Sequence, residues 1–235
     1  DIYVGDPLKN VYSHCYDLWT AEFPDIMIMD HTYGSSRGRY KVVPMDYPIM
    51  KYSDRGDVMM TGDWSDPFAG DPTEEDKYYK IADVCEYLIN IPTMKGHKRA
   101  GITMFAKNHF GSHTRNNAVH LHGGLVNPTE SDAYRQNRNL YRVQVDLIGH
   151  EMHYHKGLFY LMDALYSGSE ATDPPRKFEM APFNNDWTSS IFLSLDPIAI
   201  ESVGYDFLRT EFDADSRYPY PAMGGVDDYL HQGAD

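Results

Sequence analysis

Eight of the eleven histidines fall into three groups. His97, His109 and His113 belong to one basic stretch. His120 and His122 stand two apart in HLHGG. His150, His153 and His155 stand in HEMHYHKG. An imidazole can move a proton near neutral pH or ligate a borderline metal such as zinc. The HExxH spacing of helical metalloproteases is absent, because His153 follows His150 by three residues rather than four. The candidate ligands for a divalent transition metal are His150, His153 and His155, then His120 and His122, which would share one face of a strand. The competing account is histidines near a helix end, where a partly charged ring interacts well with the dipole.

A second set of candidates lies around the first histidine group, in YLINIPTMKGHKRAGITMFAKNHFGSH (87–113). No acidic residue occurs between Glu86 and Glu130, while Lys95, Lys98, Arg99, Lys107 and Arg115 give that window a formal charge of +5 in a chain of net charge −14. Cations interleaved with glycines suit a small anion such as a carboxylate, phosphate or sulfate. Lys95, Arg99, Lys107 and Asn108 are the candidate anion-holding groups, with His97 or His109 transferring a proton. Asp163, placed by the sequence at a strand end, is the candidate carboxylate that would orient a base or act as one. Asp196 stands before Pro197 and is explained fully as a helix N-cap. The acidic run from Asp63 to Asp76 offers oxygens to a hard cation, but fits no EF-hand spacing and reads equally as a solvated loop. GxGxxG and the Walker A pattern are absent, which removes the usual nucleotide-binding signatures.

The elements that must position these groups follow from periodicity. Ile2–Val4 and Ile26–Met29 read as strands flanking an amphipathic helix from Leu8 to Phe23, which makes a βαβ unit. Residues 40–43 and 49–52 are further strand candidates. Tyr87–Ile91 is a buried strand ended by Pro92 and followed by a polar loop through Arg99. Residues 102–106 fit a short helix or a strand. Residues 132–149 read as a helix, 158–162 as a second buried strand, 167–189 as a long loop, and 191–193 as a short strand. A helix capped by Asp196 runs to about Phe212. The fold class expected is α/β, with a mixed or mostly parallel sheet sandwiched by helices in a single domain.

Three of these stretches, INIPTMKGHKRAGITMFAKNHFG, LFYLMDALYSG (158–168) and SLDPIAIESVGYDFL (194–208), stand in an order that resembles the bacterial and archaeal "domain of unknown function 362" family. The resemblance runs, with gaps, over the whole chain. It implies the fold and a prokaryotic source, and assigns no reaction. Some members of that family carry ferredoxin-like cysteine motifs. This chain has only Cys15 and Cys85, so no iron–sulfur cluster is expected.

Composition limits the partners. A net charge of −14 argues against nucleic acid and anionic membrane surfaces. No apolar run approaches the roughly 18 residues of a membrane span. Nineteen tyrosines suit half-buried surfaces, ligand clefts or a homo-oligomer interface. The chain begins inside a strand, which reads as a mature or partial product and favours an extracytoplasmic location. Two functions are expected from these residues. One is an enzyme acting on a small anionic substrate, with or without a histidine-bound metal. The other is a non-catalytic secreted or surface module that binds glycan or itself. An enzyme needs a deep pocket in which the histidine and lysine side chains converge, whereas an assembly module leaves them dispersed and buries Tyr-rich faces between chains.

Overall fold

A computed structural model describes residues 1–6, 11–30, 40–41, 44–50, 52–53, 59–60, 70–71, 76–97, 100–113, 121, 143–212 and 226–235. Strand β1 (Tyr3–Asp6), helix α1 (Ser13–Glu22) and strand β2 (Met27–Asp30) form the expected βαβ unit, with β1 parallel to β2 and β2 parallel to β3 (Tyr40–Lys41). The helix is shorter than its apolar spacing predicts and starts after Tyr12. None of its residues is buried. Strand β4 (Pro44–Ile49) and the short hairpin β5 (Met59–Met60) and β6 (Gly70–Asp71) come next, followed by β7 (Lys77–Tyr79), antiparallel to β4. Helix α2 (Lys80–Val84) leads into the central sheet.

That sheet is built on one long strand. Strands β8 (Leu88–Asn90) and β9 (Thr93–His97) both run parallel to β11 (Gly157–Gly168), one after the other along the same edge. The polar loop expected after Pro92 is therefore a strand. Proline lacks a donor, yet its carbonyl accepts from Asp163 N at 2.9 Å, so the ladder continues through the break. Strand β10 (Gly101–Ile102) folds back antiparallel on β9, and β12 (Ser190–Ser194) closes the other edge antiparallel to β11. The chain is an α/β protein with a mixed sheet.

Alternation along these strands decides what faces the core. Met94, Tyr160, Met162 and Ala164 turn inward, into a cluster completed by Phe105, Val145, Leu208, Phe212 and Tyr229. The helices that cover this face are α3 (Phe105–Asn108), α4 (Val143–Gly149), α6 (Pro197–Phe212) and α7 (Val226–Ala234), with the one-turn α5 (Glu151–Tyr154) following α4. Helix α6 starts where Asp196 and Pro197 predict. Asp196 Oδ1 accepts from Ile198 N and Ala199 N, both at 2.9 Å. Gly204 lets it lie close on the sheet, because a Cβ there would come within 2.6 Å of Met104 Sδ and 2.8 Å of Met162 Sδ. Helix α4 faces two ways: Val145 and Ile148 join the first cluster, while Val143 and Leu147 join a second around Tyr52, Tyr78 and Phe110. On the opposite face of the sheet, Ile89, Ile191 and Leu193 are exposed, the last two at 60% and 65%. No helix among the described residues is long and apolar enough to cross a membrane.

Candidate active site

The structure brings together four histidines from two of the three sequence groups. His109 and His113 come from the short 3-10 turn after α3 and the residues beyond it, while His150 and His153 come from the junction between α4 and α5. Tyr78 of β7 sits among them. Its ring centroid lies 5.2 Å from His113, 4.7 Å from His150 and 5.4 Å from His153. His109 and His153 stack face to face, with centroids 3.9 Å apart and planes 14° apart.

Hydrogen bonds fix the state of the two stacked rings. His153 Nδ1 lies 2.7 Å from Leu147 O. A carbonyl oxygen only accepts, so Nδ1 carries the proton and Nε2 keeps its lone pair. His153 is 4% exposed, and its Nε2 has no hydrogen-bond partner among the described residues. Asn90 fixes His109 in the same way. Its Nδ2 donates to Phe105 O at 2.9 Å and to His109 Nε2 at 3.0 Å, and its Oδ1 accepts from Asn108 Nδ2 at 2.7 Å. His109 Nδ1 is left to donate to Ser112 Oγ at 3.1 Å. Buried Asn90 thus joins buried His109 to exposed Asn108.

Burial keeps these rings neutral. It lowers His109 well below the usual imidazole range, and the neighbouring His153 and His113 add to the effect. It lowers His153 to about 4, against the opposing pull of the Leu147 carbonyl. His150 is lowered by burial and partly restored by Glu151. It also caps α5, its Nδ1 accepting from Met152 N at 3.2 Å. Burial and the nearby Asp76 raise Tyr78, whose hydroxyl donates to Met50 Sδ at 2.7 Å.

The other expected residues separate. Asn108 and Lys107 stay beside the cluster, with Lys107 Nζ 4.5 Å from the Phe110 ring centroid. Lys95 and His97 alternate to the face of the sheet opposite Met94, away from His109. His97 has a structural task there, its Nδ1 accepting from Ala100 N at 3.1 Å across the turn into β10. Asp163 stands in the middle of β11 rather than at a strand end. Met162 and Ala164 continue the inward alternation past it, and Ile191 pairs with it on β12. His155 is exposed and packs its ring on Tyr154, outside the cluster. Arg99, His120 and His122 lie outside the described residues. Of the acidic run, Asp76 is fully buried and accepts from the Tyr52 hydroxyl at 2.6 Å.

Sequence reasoning passed over Tyr78, Asn90 and Ser112, and did not select His113. Asn90 had a visible signal, as the one polar residue in Leu88-Ile89-Asn90-Ile91. His113 had another, standing four residues after His109 in a short helical segment. Tyr78 had none. Both cysteines are free. No group of three or more histidine, cysteine, aspartate or glutamate side chains able to hold a metal lies among the described residues.

The fold and this site define an α/β protein with a buried, neutral imidazole cluster reached through an amide chain. The chain belongs to the family described as "Domain of unknown function (DUF362)", whose sequence model matches residues 8–206. No curated protein and no solved structure matches it.

Proposed function

We propose that the protein is an enzyme acting on a small anionic substrate, with the imidazole cluster moving the proton. The observation that carries this reading is the lone pair on His153 Nε2. It is buried, it has no partner among the described residues, and the Leu147 carbonyl holds its ring in one tautomer. A neutral imidazole prepared in this way is a general base or a ligand before it is a structural group. Lys107 and Asn108, two and one residues before His109, are the groups that would meet the anion at the rim. The test is a nuclear magnetic resonance titration with phosphate, sulfate and acetate at pH 7. The expected result is movement of the Asn108 side-chain amide and the His109 ring signals, lost in Lys107→Ala. No movement with any of the three anions would remove the cluster as the substrate site.

The same orientation of His153 favours a divalent metal as cofactor, because a ligating histidine usually donates its second ring N–H to a carbonyl or carboxylate. No three such side chains are arranged as a metal site among the described residues, so the rings of His150 and His113 would have to turn to become the further donors. Such a metal would polarise the substrate or activate a water. Elemental analysis after exhaustive dialysis checks this: one equivalent of metal per chain, lost in His153→Phe, supports it, and a metal-free protein refutes it.

The second reading is a self-assembling module, favoured by the exposed Ile89, Ile191 and Leu193 on the outer sheet face. Convergence of four histidines counts against it, while Lys95 and His97, on the other face of the sheet from His109, do not join them. Sedimentation velocity separates the two, since Leu193→Asp would dissolve an assembly and leave a monomeric enzyme unchanged.

A further inference from the structure

Strand β12 ends the central sheet, with β11 as its one neighbour among the described residues. The ladder says which of its backbone groups point outward. Asp163 N donates to Pro92 O at 2.9 Å, so the backbone groups of Asp163 face β9. Its partner across the antiparallel pair is Ile191. Residues opposite one another in such a pair either exchange both hydrogen bonds or neither. Ile191 therefore turns its N–H and C=O away from β11, and Leu193, opposite Leu161, does the same. These donors and acceptors line a free edge.

Proteins usually blunt such an edge with lysine, proline, a bulge or an inward charge. Ser190-Ile191-Phe192-Leu193-Ser194 has no charge and no proline, and its pairing with β11 runs without a register shift. Both sides of the strand are apolar at this edge. Ile191 and Leu193 stand exposed on the outer face. On the inner face Phe192 packs on Phe207 at 5.6 Å, and Phe207 on Phe183 at 5.4 Å between centroids. All three rings are only partly buried against the core.

The strand is also symmetric about its middle. Serine, an aliphatic residue, phenylalanine, an aliphatic residue and serine read alike in both directions. A second copy laid antiparallel on this edge meets its own pattern, as a two-fold interface requires. Ile191 then exchanges both backbone hydrogen bonds with the partner's Leu193. Phe192 stands opposite the partner's Phe192, and Ser190 opposite the partner's Ser194. Aliphatic, aromatic and hydroxyl pairs of these kinds stabilise neighbouring strands.

We infer that β12 pairs with the β12 of a second copy about a two-fold axis at Phe192, joining two central sheets into one. The inference rests on the reading that the outer sheet face self-associates, and narrows it to a closed dimer with one register. The interface shares no residue with the histidine cluster.

Sedimentation velocity over a range of micromolar concentrations tests the dimer. The expected result is a monomer–dimer equilibrium with no larger species. Leu193→Pro removes an N–H that faces the edge, a place where a strand tolerates proline, and should weaken the dimer tenfold or more. Leu193→Lys changes only an exposed side chain and should do the same, with an unchanged circular dichroism spectrum, so the test survives if the proline variant misfolds. The register is tested by Ser190→Cys with Ser194→Cys in a chain carrying Cys15→Ser and Cys85→Ser. The paired residues would lie about 4.5 Å apart between Cα atoms, within the reach of a disulfide. Mild oxidation should give a covalent dimer on a non-reducing gel. A dimer that never cross-links, or that persists in Leu193→Lys, would overturn the two-fold pairing and leave self-association standing. Growth past the dimer with concentration would overturn it in favour of an open assembly. A monomer throughout would overturn both the pairing and the self-association on which it rests.

Discussion

His109 and His153 lie ring on ring, 3.9 Å between centroids, and each is held by a hydrogen bond from its Nδ1 side. Two charged imidazoles at that separation would repel by about 4 kcal/mol at an effective dielectric constant of 20. The stack therefore requires at least one neutral ring; the hydrogen bond from Asn90 specifies neutrality for His109, and burial favours it for His153. The expected outcome is that long-range ¹⁵N–¹H spectra at pH 7 show both rings as Nδ1–H tautomers, with a bare Nε2. An Nε2–H tautomer at His153 would refute the base assigned to it.

The dependence of stability on pH has two opposing parts. His153 titrates near 4 when folded and near its ordinary 6.5 when unfolded, so its contribution is present above 6.5 and is lost as pH falls from 6.5 to 4. Glu201 is fully buried between Ala106 N, at 3.0 Å, and the Tyr229 hydroxyl, at 2.7 Å. Burial raises it to about 7 against those two hydrogen bonds. A raised carboxyl favours the folded state below its unfolded value, and that contribution is lost as pH rises from 4.5 to 7. Each window corresponds to roughly 3 kcal/mol. Between pH 5 and 6.5 they oppose each other, and the wild-type chain should show a shallow profile. Glu201→Gln should gain stability at pH 8 relative to wild type and lose it steeply on acidification. His153→Phe should show the reverse slope. Urea unfolding across pH 4.5 to 8 measures both.

Asn90 is the hinge between buried and exposed parts of the site. Asn90→Ala strips the partners from Phe105 O and His109 Nε2 together, and should cost about 2–4 kcal/mol in urea unfolding, since buried groups left unsatisfied cost 1–3 kcal/mol each. Asn90→Asp should instead raise the titration point of His109, because a carboxylate beside the ring favours its charged form. That shift is read from the His109 ring proton signals between pH 4 and 8.

Gly204→Ala gives a check on the packing of α6. In an exposed helix this change gains up to about 1 kcal/mol. Here the added methyl meets two buried methionine sulfurs within 3 Å, and both must move. The expected net effect is a loss of about 1–2 kcal/mol, from overpacking partly offset by propensity. Gly204→Ala with Met104→Ala should recover part of that loss, measured as a non-additive double-mutant cycle.

The sequence by itself determined the α/β class, the first βαβ unit, the Asp196 cap and the family, because these rest on local period, cap chemistry and motif order. It also marked His109, His150 and His153, since a histidine's chemistry is visible in its identity. What it could not decide was which candidates meet. Lys95 and His109 share a motif, but strand alternation sends them to opposite faces of one sheet. His109 and His153 are 44 positions apart in the sequence, and α4, packed between two clusters, brings their rings into contact. The residues after Pro92 looked like a loop because their polarity hid a strand whose outer face is not in the core. Tyr78 and the partners of Asn90 belong to the tertiary structure alone. Each depends on non-local pairing, β7 with β4 and β8 and β9 with β11, and no local pattern in the chain encodes such pairing.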